Sequence, residues 1–403
     1  MKALVIGAGG VGRAIANIAA RRQFLTSMVI ADRSLERAQQ AIKRIDDDRF
    51  DATEVNAAEL EDVRELIREV KPDVVINAVD PRFVMPIFLA CEIENTNYMD
   101  MAMSLSRPHP KYPHKEVGVK LGDEQFARDW NWQERDIWAV VGIGIEPGLS
   151  DVLAKYADEE LFSKIDSITV LDGSNLVVEG ESFAPSFSIW TTIEECLNPP
   201  LVWEDGKGWF TTKPFSEPEV FDFPEGIGPV ECVNVEHEEV VLMPQKIDAK
   251  KVNFKYGLGK EFISVLKTIN KLGLDKKENV DVQGVSVSPR DLLTASLPDP
   301  AKLGERMKGK TCAGVLVKGL DKQGNPKATY LYHVVDNEWS MKEYGDQAVV
   351  WQTAFNPVVA MELIHEGVWK PQGVMGPEWF SAKPYLDKVN EYGAPWKSRE
   401  EKI

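Results

Sequence analysis

Cysteine is scarce in the 403-residue chain: Cys91, Cys196, Cys232 and Cys312 are all there are. They form no C-x-x-C pair and no two stand at metal-ligand spacing, which excludes a disulfide-stapled scaffold and leaves no metal site to expect. Unpaired thiols point to a reducing compartment, the cytoplasm. Long apolar runs are missing as well. No stretch nears the roughly 18 residues of a membrane-spanning helix. The apolar opening at 3–6 gives way to glycines and then to Arg13, Arg21 and Arg22 rather than to a cleavage site. Positive charge is the third shortage: 47 Lys and Arg against 64 Asp and Glu leave a net charge of −17. With no basic patch to offset it, such a chain repels phosphate backbones and anionic lipid, so neither nucleic acid nor membrane is an expected partner.

What remains has ordinary globular composition, 43% hydrophobic and 28% charged, without repeats or low-complexity tracts. In the first 150 residues short apolar runs (4–6, 28–31, 53–55, 74–76, 138–141) alternate with amphipathic stretches (11–22, 35–45, 60–70, 83–94). Runs apolar on both faces and separated by helices indicate a parallel sheet covered on both sides. From about residue 165 the texture changes to alternating β-like runs at 168–171, 230–235, 239–242, 282–287, 312–317 and 330–335. The expectation is an α/β chain: a Rossmann dinucleotide-binding domain over 1–150 and a second, α+β domain with a mixed sheet over 151–403. A helix near 347–367, carrying Pro357, is expected to pack back on the first domain.

The residues Gly7-Ala8-Gly9-Gly10-Val11-Gly12 read G-x-G-x-x-G between the first strand and the first helix. Gly7 allows the tight turn, Gly9 lets the backbone approach a pyrophosphate, and Gly12 brings helix and strand together, with the helix N-terminus facing the anion. Asp32 closes the second strand where a carboxylate takes the adenosine ribose hydroxyls, which favours NAD over NADP. Arg33 is the contrary signal, since its guanidinium suits a 2′-phosphate. Asn77-Ala78-Val79-Asp80 follows the fourth strand at the ligand-binding edge and either lies along the cofactor or simply caps the next helix.

These motifs, with Tyr98-x-Asp100 and Gly144-Ile145-Glu146-Pro147-Gly148-Leu149-Ser150-Asp151 in this order, resemble the saccharopine dehydrogenase family. The likeness continues more weakly through Phe187-Ser188. It implies hydride transfer between a C–N bond and a nicotinamide ring on an amino acid or amino-acid-derived amine, amine to imine and then hydrolysis. Enzymes similar to lysine 6-dehydrogenase or carboxynorspermidine dehydrogenase are rival forms of that reading. A dinucleotide-binding sensor without turnover is a rival from another class. A homodimer is the expected assembly. The chain departs from the family where a basic residue would follow Phe-Ser: here Ile189-Trp190-Thr191-Thr192-Ile193-Glu194-Glu195 stands instead. That favours a substrate with more positive charge than saccharopine.

Such chemistry needs an acid/base group near neutral pKa and a grip on the substrate. His237 is the first candidate, because strand alternation through Val233, Val235, His237 and Glu239 points it with the valines and Glu236, Glu238 and Glu239 flank it. A hydrogen-bonded core histidine is the plainer alternative. Asp100 and Glu146 follow, placed by the resemblance at the nicotinamide edge. Arg290 and Arg82 are candidates for a carboxylate clamp, or ordinary ion-pairing arginines. Tyr98, Ser188, Trp190 and Thr191 are candidate substrate contacts. The aromatic series Phe187, Trp190, Trp203, Trp209 and Phe210 is a substrate wall or core. His109 and His114 belong to a Pro-rich loop that either covers the site or is merely solvated.

Overall fold

The computed structural model describes residues 1–181 and 183–403. Six strands of the N-terminal part, β1 (Lys2–Ile6), β2 (Ser27–Asp32), β3 (Phe50–Glu54), β4 (Val74–Asn77), β5 (Asn97–Asp100) and β6 (Trp138–Val140), pair in parallel in the order β6-β5-β4-β1-β2-β3. Ala3 to Ile6 and Val74 to Ile76 are fully buried. That is why these runs are apolar on both faces: helices cover the sheet above and below. The order reverses between β1 and β4, and in open α/β sheets the crevice beyond the carboxyl ends at such a reversal is where ligands bind.

The C-terminal segment adds a seventh strand, Gly373–Met375, which pairs in parallel with β6. A division of the chain at residue 150 did not anticipate that strand; three residues flanked by glycine and proline carry no periodicity of their own. The helix Ala348–His365 lies against the first helix, α1 (Gly10–Ala19). It is buried almost all round, so it is apolar on every face and Pro357 is carried inside it. Ion pairs fasten the two regions: Arg13 to Asp346 at 2.7 Å and Arg22 to Glu362 at 2.7 Å.

The second sheet has nine strands and is mixed. Its central strand β7 (Phe162–Ser174) runs parallel to Lys251–Gly257 and antiparallel to Lys310–Asp321, and Gly228–Asn234 pairs with the far side of Lys251–Gly257. Two expected strands take other forms. Residues 239–242 are a helical turn, Glu239–Leu242, because a buried run as short as Val240-Val241-Leu242 cannot distinguish a period of 2 from one of 3.6. Residues 282–287 belong to a separate exposed hairpin, Val280–Val282 with Val285–Val287, whose Gln283-Gly284 corner has φ of 54° and 86°, the geometry of a two-residue hairpin turn.

Candidate functional site

The glycine loop follows directly from β1. Gly7 has φ of 113°, and a Cβ there would lie 2.5 Å from the Ala78 carbonyl oxygen; one on Gly12 would lie 1.8 Å from the Gly7 carbonyl. Both positions are closed to any side chain. Around Gly9 the space is open instead, the nearest group being Nη2 of Arg37 at 4.0 Å from a built Cβ. The first turn of α1 has no side-chain cap. Free amides, open space and a guanidinium together fit a pyrophosphate. Asp32, at the end of β2, fixes the loop by accepting from the Ala8 amide at 2.9 Å and the Ser34 amide at 3.1 Å. Arg33 beside it is exposed.

Gly9, Gly10 and Val11 form one end of a cavity of about 300 Å³. Asn77, Ala78, Val79 and Asp80 line its flank, with Asn77 holding the Val79 amide at 3.1 Å. The other end is acidic: Glu146, Glu195, Glu238 and His237 meet there, and among the described residues no lysine or arginine lines the cavity.

His237 sits in the turn after Gly228–Asn234, so the strand alternation that picked it out does not extend that far. Its ring stacks on Phe254 with centroids 3.9 Å apart, and Nδ1 lies 2.5 Å from Oε2 of Glu239. The other oxygen of Glu239 accepts from the Ser150 hydroxyl at 2.8 Å. Ser150 stands in the first turn of Leu149–Tyr156, the helix begun by the Glu146-Pro147-Gly148 segment. That segment therefore both delivers Glu146 to the cavity and orients the histidine through Glu239. Burial opposes the imidazolium, but the carboxylates of Glu239, Glu238 and Glu195 outweigh it and hold its pKa well above the ordinary value. Burial pushes Glu195 up to about 8 despite the pull of His237. Glu146 is raised well above the usual range by burial and by the neighbouring charge of Asp172.

The helix Ile189–Leu197 explains which of its residues belong here. Ser188, Thr191 and Glu195 share one stripe at spacings of three and four, and all three line the cavity. Trp190 and Glu194 share another stripe. There Arg290 is ion-paired with Glu194 and donates to the Asp275 carbonyl at 2.7 Å, with its guanidinium 5.0 Å from the Trp190 ring. Arg82 is held by Asp80 at 2.8 Å. Neither arginine nor Trp190 lines the cavity, so the expected guanidinium clamp and most of the aromatic wall are absent from it; Phe187 alone of that series is present.

Tyr98 and Asp100 are likewise buried behind the lining. The Tyr98 hydroxyl accepts from Asn77 at 2.9 Å, and Asp100 accepts from the Gly142 amide at 2.7 Å and from Gln125 at 2.8 Å. Burial raises Asp100 to about 7, yet its bonds tie β5 to the loop after β6 rather than reach the cavity. His109 and His114 also lie outside the lining.

The N-terminal residues 3–140 match the model of the saccharopine dehydrogenase NADP binding domain, and residues 144–394 match that of the saccharopine dehydrogenase C-terminal domain. The chain belongs to the saccharopine dehydrogenase family. Among its relatives are the carboxynorspermidine synthase of Vibrio cholerae, 31% identical over 98% of this chain and 96% of that protein, and the carboxyaminopropylagmatine dehydrogenase of Synechocystis, 27% identical over 98% and 96%. The saccharopine dehydrogenase (L-Glu forming) of Saccharomyces cerevisiae shares the fold, with a TM-score of 0.72 at 14% identity and full coverage of both chains. As a family member the chain is an oxidoreductase that uses a nicotinamide dinucleotide on C–N bonds. Its first domain matches a model described as NADP-binding, so the preference for NAD read from Asp32 gives way to the broader statement, NAD or NADP.

Sequence reasoning passed over Arg37 and did not place Glu195 in the site. The signal for Glu195 was available, since it lies one helical turn beyond Thr191. Arg37 carried none, because only the turn of its helix over the glycine loop brings it there.

Proposed function

We propose that the chain forms, or in reverse splits, a secondary amine between a small carbonyl acid and a cationic primary amine. One observation carries this reading: the cavity joins the dinucleotide loop to Glu146, Glu195, Glu238 and His237 with no lysine or arginine in its lining among the described residues. Such walls give a dicarboxylate like saccharopine no cationic partner, and they suit a cation, which would draw the raised carboxyl groups back to their charged form. The names of the Vibrio and Synechocystis relatives support the same substrate class.

In the direction of synthesis the amine nitrogen adds to the carbonyl carbon. His237, charged beside Glu239, gives a proton to the departing hydroxyl, so that water leaves and a C=N bond remains. The bound nicotinamide supplies the hydride that completes the C–H bond, or accepts it in reverse. The carboxylates around His237 stabilise the iminium charge where it develops. Ser188 and Thr191 offer hydroxyls to the acid group, in place of the arginine clamp.

The test is to incubate the protein with NADH or NADPH, glyoxylate as the carbonyl acid, and putrescine as the amine. Cofactor oxidation should require both substrates, and the product mass should equal their sum less water plus two hydrogens. Oxidation with glyoxylate alone, at an unchanged rate, would mean carbonyl reduction and would overturn the proposal.

A further inference from the structure

Beyond Glu146 the molecule holds a second cavity, of about 370 Å³, which shares Ile145, Glu146, Phe187, Tyr256 and Val349 with the first. Asp172 stands in its wall, delivered by β7 opposite Tyr256 in the parallel pairing. Asp172 is 4% exposed and its Oδ1 has no hydrogen-bond partner, nor has Glu146 Oε2 at the passage between the cavities; the two acids are neighbours, and burial raises both well above the usual carboxylate range. Glu261 adds charge of the same sign, whereas Glu181 at the edge of the lining is ion-paired with Arg306 at 2.6 Å; among the described residues no lysine or arginine lines the chamber itself. Phe183, Leu176 and Phe262 supply apolar wall between the acids. A buried carboxylate oxygen without a donor is unfavourable until a proton or a cation meets it. Apolar wall beside it suits the methylene chain of such a cation.

We propose that this chamber receives the remote end of the amine substrate, a primary ammonium or guanidinium on a short alkyl chain, and that Asp172 pairs with it. The assignment rests on the reading of the first cavity as the C–N site. It adds that selection among amines is made by a second positive charge, at a distance from the reacting nitrogen.

Calorimetric titration of the protein, saturated with whichever of NAD and NADP it binds, compares putrescine with butylamine, which share a chain and differ in the second ammonium. A charge-assisted hydrogen bond to a buried acid corresponds to about 10-fold to 100-fold in affinity, so putrescine should bind tighter by that factor. Asp172→Asn should reduce the ratio to under about threefold. If that variant does not fold, Val230→Trp, which fills the chamber from a half-buried position on its wall, replaces it and should weaken putrescine more than butylamine. Equal affinities in the wild type, or an undiminished ratio in the folded variant, overturn the proposal. Preferential binding of putrescine without any turnover of amine and carbonyl acid would instead defeat the reading of the first cavity and leave this one standing.

Discussion

His237 is held from three directions, by Glu239 at Nδ1, by Phe254 against its ring and by Glu238 at 3.3 Å. Removing the group that moves a proton typically costs about 100-fold to 10,000-fold in rate. His237→Asn should show that loss in steady-state turnover while nucleotide affinity, read by fluorescence titration, stays within about twofold, since no part of the glycine loop touches the ring. Wild-type turnover in this variant, or loss by unfolding alone, would return the residue to a core role. The flanking glutamates made His237 legible in the sequence. Its partner was not legible as such: Glu239 was one of three neighbouring acids, and the turn that selects it depends on Ser150, 89 residues earlier.

Among the elements, the glycine loop was the most readable, because each of its glycines answers a local requirement. Two variants separate those requirements. Gly12→Ala places a Cβ at 1.8 Å from a backbone oxygen, so α1 and β1 must separate; a loss of about 1–3 kcal/mol in stability is expected by chemical denaturation. Gly9→Ala meets nothing closer than 4.0 Å at a φ of −70°, and should fold normally yet lower nucleotide affinity at least about tenfold by filling the pyrophosphate space. Equal destabilisation by both would contradict the division of roles. The helix Ile189–Leu197 was less readable. Trp190 and Thr191 are adjacent in sequence but about a third of a turn apart, and only the position of Arg290, brought in from 96 residues beyond Glu194, decides which face meets the cavity.

At the scale of the molecule, the parallel sheet and the change to a mixed sheet were both visible in the hydrophobic pattern, whereas pairing across long separations, such as Gly373–Met375 with β6, left no local trace. The same long-range assembly concentrates acids in the interior of a chain already at −17. Burial raises Asp100 and Glu236 to about 7 and Glu195 to about 8, and His237 is raised as well. Every one of these groups is higher in the folded than in the unfolded chain. Their contribution is complete below the unfolded values and is lost as pH rises, by up to about 1.4 kcal/mol per pH unit for each group while it lies between its two values. Carboxylates lowered by basic partners, Glu92 by Arg128 and Glu194 by Lys277 and Arg290, titrate below this window. The melting temperature of the ligand-free protein should therefore fall between about pH 5 and pH 8; a rise over that interval would show that the buried acids are not raised. The central claim, that hydride passes to the carbon of a C–N bond in the first cavity, is tested most directly by following the label from a nicotinamide cofactor deuterated at its hydride-bearing carbon. With glyoxylate and putrescine both present, mass spectrometry and proton NMR should place deuterium on the carbon attached to the new nitrogen, and nowhere else. Deuterium recovered in glycolate, or retained entirely on the cofactor, would contradict the account.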